Sequence, residues 1–236
     1  MRIEVLYPEV CNLFGDMQNI NYLRFCIPDA DFIWTQINQK PFFADNDIDM
    51  LYMGPCTENQ QLKIIDKLMP FKDRLEELLF QNKVFLFTGN SFEIFGDYIT
   101  NKTMSYEKKC LGFFHFHSVI DMFNRTNVKV LGNFDDIEIV GFKSQFSTLF
   151  GDNSTEHFVS CQRGFGFNKK SKFEGVRRQN FFGTSILGPL LPLNPPFTKK
   201  LLELLGVADA KIAFEKQAKE AYQARINEFK NPKIKF

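Results

Sequence analysis

Short β-type runs alternate with amphipathic stretches along the first hundred residues. Residues 2–7 form a β-rich run closed by Pro8, and residues 11–25, with Leu13, Ile20 and Leu23, carry the spacing of a short helix. A second strand is expected over 32–37, and a third over 49–53 that ends at Gly54 and Pro55. Residues 60–81 predict an amphipathic helix: Leu62, Ile65, Leu68, Leu75, Leu78 and Leu79 follow a helical period, with Pro70 as a kink. The run Val84, Phe85, Leu86, Phe87 is apolar throughout, as suits a central parallel strand covered on both faces. Residues 91–98 return to a helix-compatible spacing. The order β-α-β-β-α-β-α predicts an α/β domain with a mostly parallel central sheet flanked by helices.

The pattern then changes. Residues 129–131, 137–142 and 158–160 are short β-like runs between Gly, Asn and Asp clusters, so further, antiparallel strands are expected. Residues 163–175 read as a basic loop or hairpin. Pro192, Pro195 and Pro196 predict a turn after the apolar stretch 181–191, and helices are expected over 198–205 and 209–229. This divides the chain into a main domain, 1–205, and a C-terminal helical extension, 206–236.

Charge removes some classes of function. The 29 Lys+Arg against 28 Asp+Glu give a formal charge of +1, without the cationic excess that a nucleic-acid backbone or an anionic membrane requires. No run approaches the length of a membrane span, and no signal-peptide core opens the chain, so a cytoplasmic protein is expected. The 5 cysteines at 11, 26, 56, 110 and 161 include no C-x-x-C pair, which fits a reducing compartment. The 29 Phe are the compositional oddity and ask for a location.

Candidate chemistry centres on the passage from the buried strand into Gly89, Asn90 and Ser91. A strand running through a Gly turn into a helix is the geometry on which α/β enzymes expose a nucleophile and aim backbone N–H groups at an oxyanion. Here the turn holds glycine, which retains the bend and lacks the reactive atom. His115 and His117 share one face if 111–119 is extended, yet no third ligand has metal-site spacing, and no metal or cofactor is expected. Gly164 and Gly166 read as a hairpin tip, and Lys169, Lys170, Lys172, Arg177 and Arg178 as solvated surface. Glu9 and Asp16 are acid/base candidates whose ordinary alternative is solvation or helix capping.

Several segments together resemble glutamine amidotransferases of the cobyric acid synthase type, in particular the amidotransferase subunits of lipid II isoglutaminyl synthases. LYPEVCNLFGDMQNI (6–20) is similar to the family's L-Y-P-x-x-x-N-x-Y-G-D-x-x-N-I, and GPCTENQQ (54–61) to its G-G-G-x-D-x-x-Q. EGVRRQNFFGT (174–184) followed by GPLLPLNP (188–195) resembles E-G-x-x-x-x-N-x-x-G-T-Y-L-H-G-P-L-L-P-x-N-P. Smaller echoes are KVLGN (129–133) and Gly141-Phe142. The resemblance covers residues 2–200 in order.

It implies a class I, flavodoxin-like three-layer sandwich in which a Cys attacks the glutamine amide, a His activates it, and ammonia passes to a Mur-ligase-like synthetase. Gly89 stands at the family's Cys and Leu187 at its His. Lys129 stands at a common Arg, Lys143, Ser144 and Gln145 at E-N-H, and Pro55 and Cys56 at two glycines. The expectation is a pseudoenzyme acting as a binding or regulatory subunit of such a synthetase, in cell-wall or corrinoid amidation. The alternatives are an altered amidase using Cys56 as a relocated nucleophile and a sensor of an amino-acid or amide ligand. The ligand crevice is expected to involve Asp16, Gly54, Asn90, Lys129 and Gln145. Phe85, Phe87, Phe92, Phe95, Phe142, Phe146, Phe181 and Phe182 would crowd it, either plugging the crevice or facing a partner, with an ordinary core as the plain alternative.

Overall fold

The computed structural model describes residues 1–102 and 106–234, so the last two residues of the expected extension lie outside the described residues. Five strands run parallel: β1 (Arg2–Leu6), β2 (Asp31–Thr35), β3 (Met50–Met53), β4 (Val84–Thr88) and β14 (Phe181–Thr184). With β13 (Val176–Arg178) as an antiparallel edge, the order is β13-β14-β4-β3-β1-β2. Every residue of β4 is buried, as its uninterrupted apolar run requires.

The two faces of this sheet carry different covers. On one, α2 (Glu58–Leu68) and α3 (Lys72–Phe80) bring Ile64, Ile65, Leu75 and Leu78 against Phe85 and Phe87. The expected kink is a 3-10 turn, Met69–Phe71, that contains Pro70. On the other, α1 (Gln18–Cys26), α4 (Leu190–Leu193) and α5 (Pro195–Leu204) place Ile20, Leu23, Leu190 and Phe197 against Leu86 and Phe182.

Phenylalanine fills both covers. Phe181 lies 5.6 Å from Phe85, 5.8 Å from Phe87 and 4.8 Å from Phe95, while Phe134, Phe158, Phe182 and Phe197 pack within 5.1–5.7 Å of one another on the opposite face. Phe85, Phe87, Phe92, Phe95, Phe181 and Phe182 are thus core, not a plug in a crevice. Each ring adds edge-to-face or offset contact to its area burial.

Two further sheets complete the molecule. β5 (Tyr98–Asn101), β6 (Glu107–Lys109), β7 (His117–Ile120) and β10 (Ser147–Phe150) pair in the order β10-β7-β5-β6. β8 (Thr126–Phe134), β9 (Ile137–Gln145), β11 (Val159–Arg163) and β12 (Phe173–Glu174) form an antiparallel sheet, β12-β11-β8-β9. The basic stretch after Arg163 connects the antiparallel pair β11 and β12, as a hairpin would. The β-like run expected over 137–142 is the first part of β9, which therefore includes Phe142.

Three local expectations differ from the structure. The helix expected over 91–98 is a 3-10 segment, Gly89–Phe95, because Ser91 to Phe95 are all buried and leave no solvent face for an amphipathic helix. The turn expected at the prolines is helical: Pro195 and Pro196 open α5, where a missing N–H leaves no intrahelical bond unmade. The last helix, α6 (Glu215–Lys230), starts later than expected, after Asp209 (φ +50°) and Phe214 (φ +53°) adopt left-handed backbone.

Side-chain amides join these layers. Asn194 is fully buried; its Oδ1 accepts from Val140 N (2.8 Å), and its Nδ2 donates to Val140 O (2.9 Å) and Leu190 O (2.8 Å). Asn19 Oδ1 accepts from Leu191 N at 2.8 Å. α6 is held on the β8–β9 face by Tyr222, Ile226 and Phe229, by Tyr222 donating to Glu138 O (2.7 Å), and by the Arg163 guanidinium donating to the Phe229 and Asn231 carbonyls. Asn194→Ala strands both Val140 backbone groups and is expected to lower unfolding free energy by roughly 2–4 kcal/mol, read from urea midpoints; a loss below about 0.5 kcal/mol would show that Asn194 does not join these layers.

Candidate functional site

Three adjacent parallel strands, β14, β4 and β3, end side by side, and the crevice at their carboxyl ends is the usual ligand position of an open α/β sheet. From β4 the chain turns through Gly89 at φ +61°, in the left-handed region that glycine adopts without a Cβ penalty. From β3 it passes through Gly54, Pro55 and Cys56. From β14 it reaches Leu187, which pairs with Phe142 of β9 through Leu187 N to Phe142 O (2.8 Å) and Phe142 N to Leu187 O (3.2 Å).

Asn90 locks the second segment to the first. Its Oδ1 accepts from Cys56 N at 3.0 Å and its Nδ2 donates to Cys56 O at 2.9 Å, so one side chain satisfies both backbone groups of Cys56. Gln61 Nε2 donates to Asn90 O at 2.7 Å and ties the turn to α2. The result is close apposition: a Cβ at position 89 would lie 2.5 Å from Pro55 Cβ and 3.3 Å from Leu187 Cδ2. Gly54 is equally constrained, since a Cβ there would sit 2.6 Å from Cys11 O.

A cavity of about 180 Å³ opens beside this contact, lined among others by Leu13, Pro55, Cys56, Asn90, Glu93, Ile120, Gln145 and Leu187, with Phe14, Glu58, Arg125 and Phe146 also in its wall. Of the residues expected at the crevice, Asn90 and Gln145 line it, as does Cys56. Asp16 and Gly54 lie behind it. Asp16 is fully buried, accepting through Oδ2 from Tyr52 OH (2.5 Å) and from Thr88 Oγ1. Lys129 does not line the cavity: its ammonium lies 5.8 Å from the Phe229 ring, against α6. Of the aromatic residues expected to crowd the crevice, Phe146 is in its wall; Phe14, which the sequence pattern did not single out, joins it.

No histidine lines this cavity. His115 is 90% exposed beside Asp97, His117 stacks on Tyr98 (4.6 Å) and Phe150 (5.4 Å), and His157 bonds Ser154 O and Ser160 Oγ. The shared face expected of His115 and His117 does not form, because β7 begins only at His117. Among the described residues no cluster of metal-ligating side chains occurs. Cys56 is 3% exposed, and its sulfur, together with burial, pushes the neighbouring Cys11 thiol well above its ordinary range.

Glu93 is the buried group that the sequence reading missed. It sits in the cavity wall, accepts from Ser147 Oγ and, at 3.4 Å, from Gln61 Nε2, and burial pushes its carboxyl up to about 7. Its signal was a lone acid between Phe92 and Ile94 in a stretch with no solvent face. Glu174, in the segment EGVRR, accepts from Thr184 Oγ1 (2.7 Å) and Ser185 N (2.8 Å), and so fixes the strand end that leads to Leu187.

No family model matches the chain. It is 27% identical over 195 residues, 81% of its length and 79% of the relative's, to the lipid II isoglutaminyl synthase (glutamine-hydrolyzing) subunit GatD of Staphylococcus aureus (strain N315). It is 23% identical over 210 residues to the Streptococcus pneumoniae (strain ATCC BAA-255 / R6) subunit GatD, covering 86% of this chain and 79% of the relative. Among solved structures it is similar to a glutamine amidotransferase (TM-score 0.56, 10% identity, 87% of this chain and 100% of that one). It is also similar to PurLQS from Thermotoga maritima (TM-score 0.53, 12% identity, 95% and 98%). The fold is glutamine amidotransferase-like. Within that amidotransferase-like fold, no helix among the described residues is long and apolar enough to cross a membrane.

Burial raises the carboxyls of Glu4, Asp16, Glu93 and Glu174, Asp16 to about 6 and Glu93 to about 7. A raised folded-state value means that the native protein holds these protons more tightly than the unfolded chain. The associated stability is present at low pH and lost as pH rises through the folded values. Chemical denaturation of the parent and of Glu93→Gln should therefore diverge between pH 5 and 8, the variant gaining on the parent by up to a few kcal/mol as pH passes 7. Parallel curves would refute the burial of an ionisable Glu93.

Proposed function

We propose that this chain is an amidotransferase-like protein without glutaminase activity, serving as a binding or regulatory subunit in cell-wall amidation. The observation that carries the reading is the contact of Gly89 with Pro55 and Leu187. Hydrolysis of a glutamine amide needs a nucleophile, a base to take and return its proton, and N–H donors for the oxyanion. Glycine at 89 offers no nucleophile, leucine at 187 no base, and proline at 55 no N–H. The cavity wall adds no histidine in compensation. By the resemblance to GatD, one subunit of a lipid II isoglutaminyl synthase, the partner in this reading is a Mur-ligase-like synthetase. No cofactor enters it.

Cys56 lines the same cavity and is the one specific support for relocated chemistry. Its backbone is held on both sides by Asn90 and no imidazole lies beside it, which is why the non-hydrolytic reading is preferred.

The purified chain is expected to release no glutamate from glutamine above a boiled control. Gly89→Cys/Leu187→His is expected to stay inactive, because the new Cβ collides with Pro55; adding Pro55→Gly removes that collision and is the only combination expected to gain turnover. Glutamate release by the parent would overturn the reading, and covalent labelling of Cys56 by an electrophilic glutamine analogue would reassign the chemistry to that thiol.

A further inference from the structure

A second concave site lies where the end of β8, the start of β11 and β13 meet. Its cavity of about 520 Å³ is lined by Asn133, Asp135, His157, Ser160, Arg177 and Gln179, among others, and shares no residue with the wall of the crevice. Ser160 Oγ lies 2.7 Å from His157 Nε2, and His157 Nδ1 lies 2.8 Å from Ser154 O. A backbone carbonyl can only accept, so Nδ1 carries the proton of the neutral ring and Nε2 presents its lone pair. Ser160 is therefore the donor to Nε2. This is the polarity in which an imidazole removes the proton of a nucleophilic hydroxyl while a third group holds the ring in orientation. The ring is also held against Phe173, at 4.4 Å between centroids, and both His157 and Ser160 are half-buried.

Donors for a developing oxyanion stand beside this pair. Asn133 of β8 is the direct cross-strand partner of Ser160, a register that puts their Cβ atoms about 4.5–5.5 Å apart on one face of the sheet. Its Oδ1 accepts from Gln162 Nε2, which leaves its Nδ2 without a hydrogen-bond partner among the described residues. The Arg177 guanidinium lies 4.6 Å from the centroid of Phe134 and engages Asp135 through Nη1 at 3.3 Å. Its Nε and Nη2 have no hydrogen-bond partner among the described residues. Side-chain donors of this kind serve an oxyanion when they line the same cavity as the nucleophile. A volume of about 520 Å³ equals roughly seventeen waters at their liquid share, room for both halves of a small ester.

We propose that this cavity is an esterase site for small carboxylic esters, with Ser160 as nucleophile, His157 as its general base and acid, and Asn133 and Arg177 as oxyanion donors. Ser160 Oγ bonds to the ester carbonyl carbon as the C=O π pair moves onto oxygen, and His157 Nε2 takes the hydroxyl proton. The carbonyl then re-forms, the bond to the alkoxy oxygen breaks, and His157 protonates the departing alcohol. Water repeats the sequence on the acyl-serine, giving its proton to His157, which returns it to Ser160 Oγ as the acid leaves. One ester and one water are consumed, and one acid and one alcohol are released. A carbonyl, rather than a carboxylate, backs the imidazole, which suits an ester, whose alkoxide leaves more readily than the amine of an amide. The site is separate from the crevice at Gly89 and does not rest on the non-hydrolytic reading given above.

The full chain is tested with 4-nitrophenyl acetate and with a fluorophosphonate, a reagent that traps activated serines. Mass spectrometry is expected to find the fluorophosphonate on Ser160 of the folded chain and not of the urea-unfolded chain, and 4-nitrophenolate release is expected to saturate with ester. Ser160→Ala and His157→Gln are each expected to lower kcat/KM by at least about a hundredfold, and Asn133→Ala by at least about tenfold. Labelling of the parent needs no variant, so it decides the question even if a substitution unfolds the sheet. The proposal is overturned if Ser160 carries no adduct, if other serines are labelled as heavily, if His157→Gln is labelled as fast as the parent, or if Ser160→Ala hydrolyses the ester as the parent does. Glutamate release from glutamine is scored separately and bears on the crevice alone.

Discussion

The structure depends on one constraint, the burial of β4 on both faces. A central parallel strand exposes no side chain to water, so each of its residues must find a complementary surface, and the two covers must come from distant parts of the chain. Phenylalanine meets this demand with large area and few rotatable bonds. Phe85 and Phe87 find Phe181 and Phe95 on one side. On the other, Leu86 shares its core with Phe182 and Phe197. Because β14 runs directly beside β4 in parallel register, Phe181↔Phe85 to Thr184↔Thr88, fixing β4 also fixes where residues 185–187 emerge.

That register brings the crevice residues together. Asn90 and Glu174 act on opposite sides of it: Asn90 holds the Cys56 backbone against the turn after β4, and Glu174 holds Thr184 and Ser185 at the end of β14. Polar side chains here do the work of a sheet ladder beyond the point where the strands diverge. The motif segments that make the sequence resemble an amidotransferase are therefore largely a scaffold of backbone-directed hydrogen bonds. A scaffold of that kind positions residue 89 whatever occupies it.

The sequence disclosed the central sheet because its signals were local: a continuous apolar run, strand ends marked by Gly54-Pro55 and Gly89, a helical period broken at Pro70. The helix after β4 was misread because spacing alone does not reveal that both its faces are covered. The reading placed Asn90, Gln145 and Cys56 near one crevice through the resemblance. It placed Lys129 there too, although its side chain leans on Phe229, a contact created by α6 from a hundred residues away. Glu93 escaped notice because its place arises only in three dimensions, buried where Ser147 of β10 donates to it.

The left-handed turn at Gly89 has a further meaning in terms of stored strain. At φ +61° any residue with a Cβ is held about 1–2 kcal/mol above its relaxed backbone. Glycine carries no such penalty, so the bend is a resting conformation of the chain and not a loaded one. A side chain at this position would be held there at the expense of local stability; here the same corner carries no such strain, and the joint that shapes the crevice is without tension.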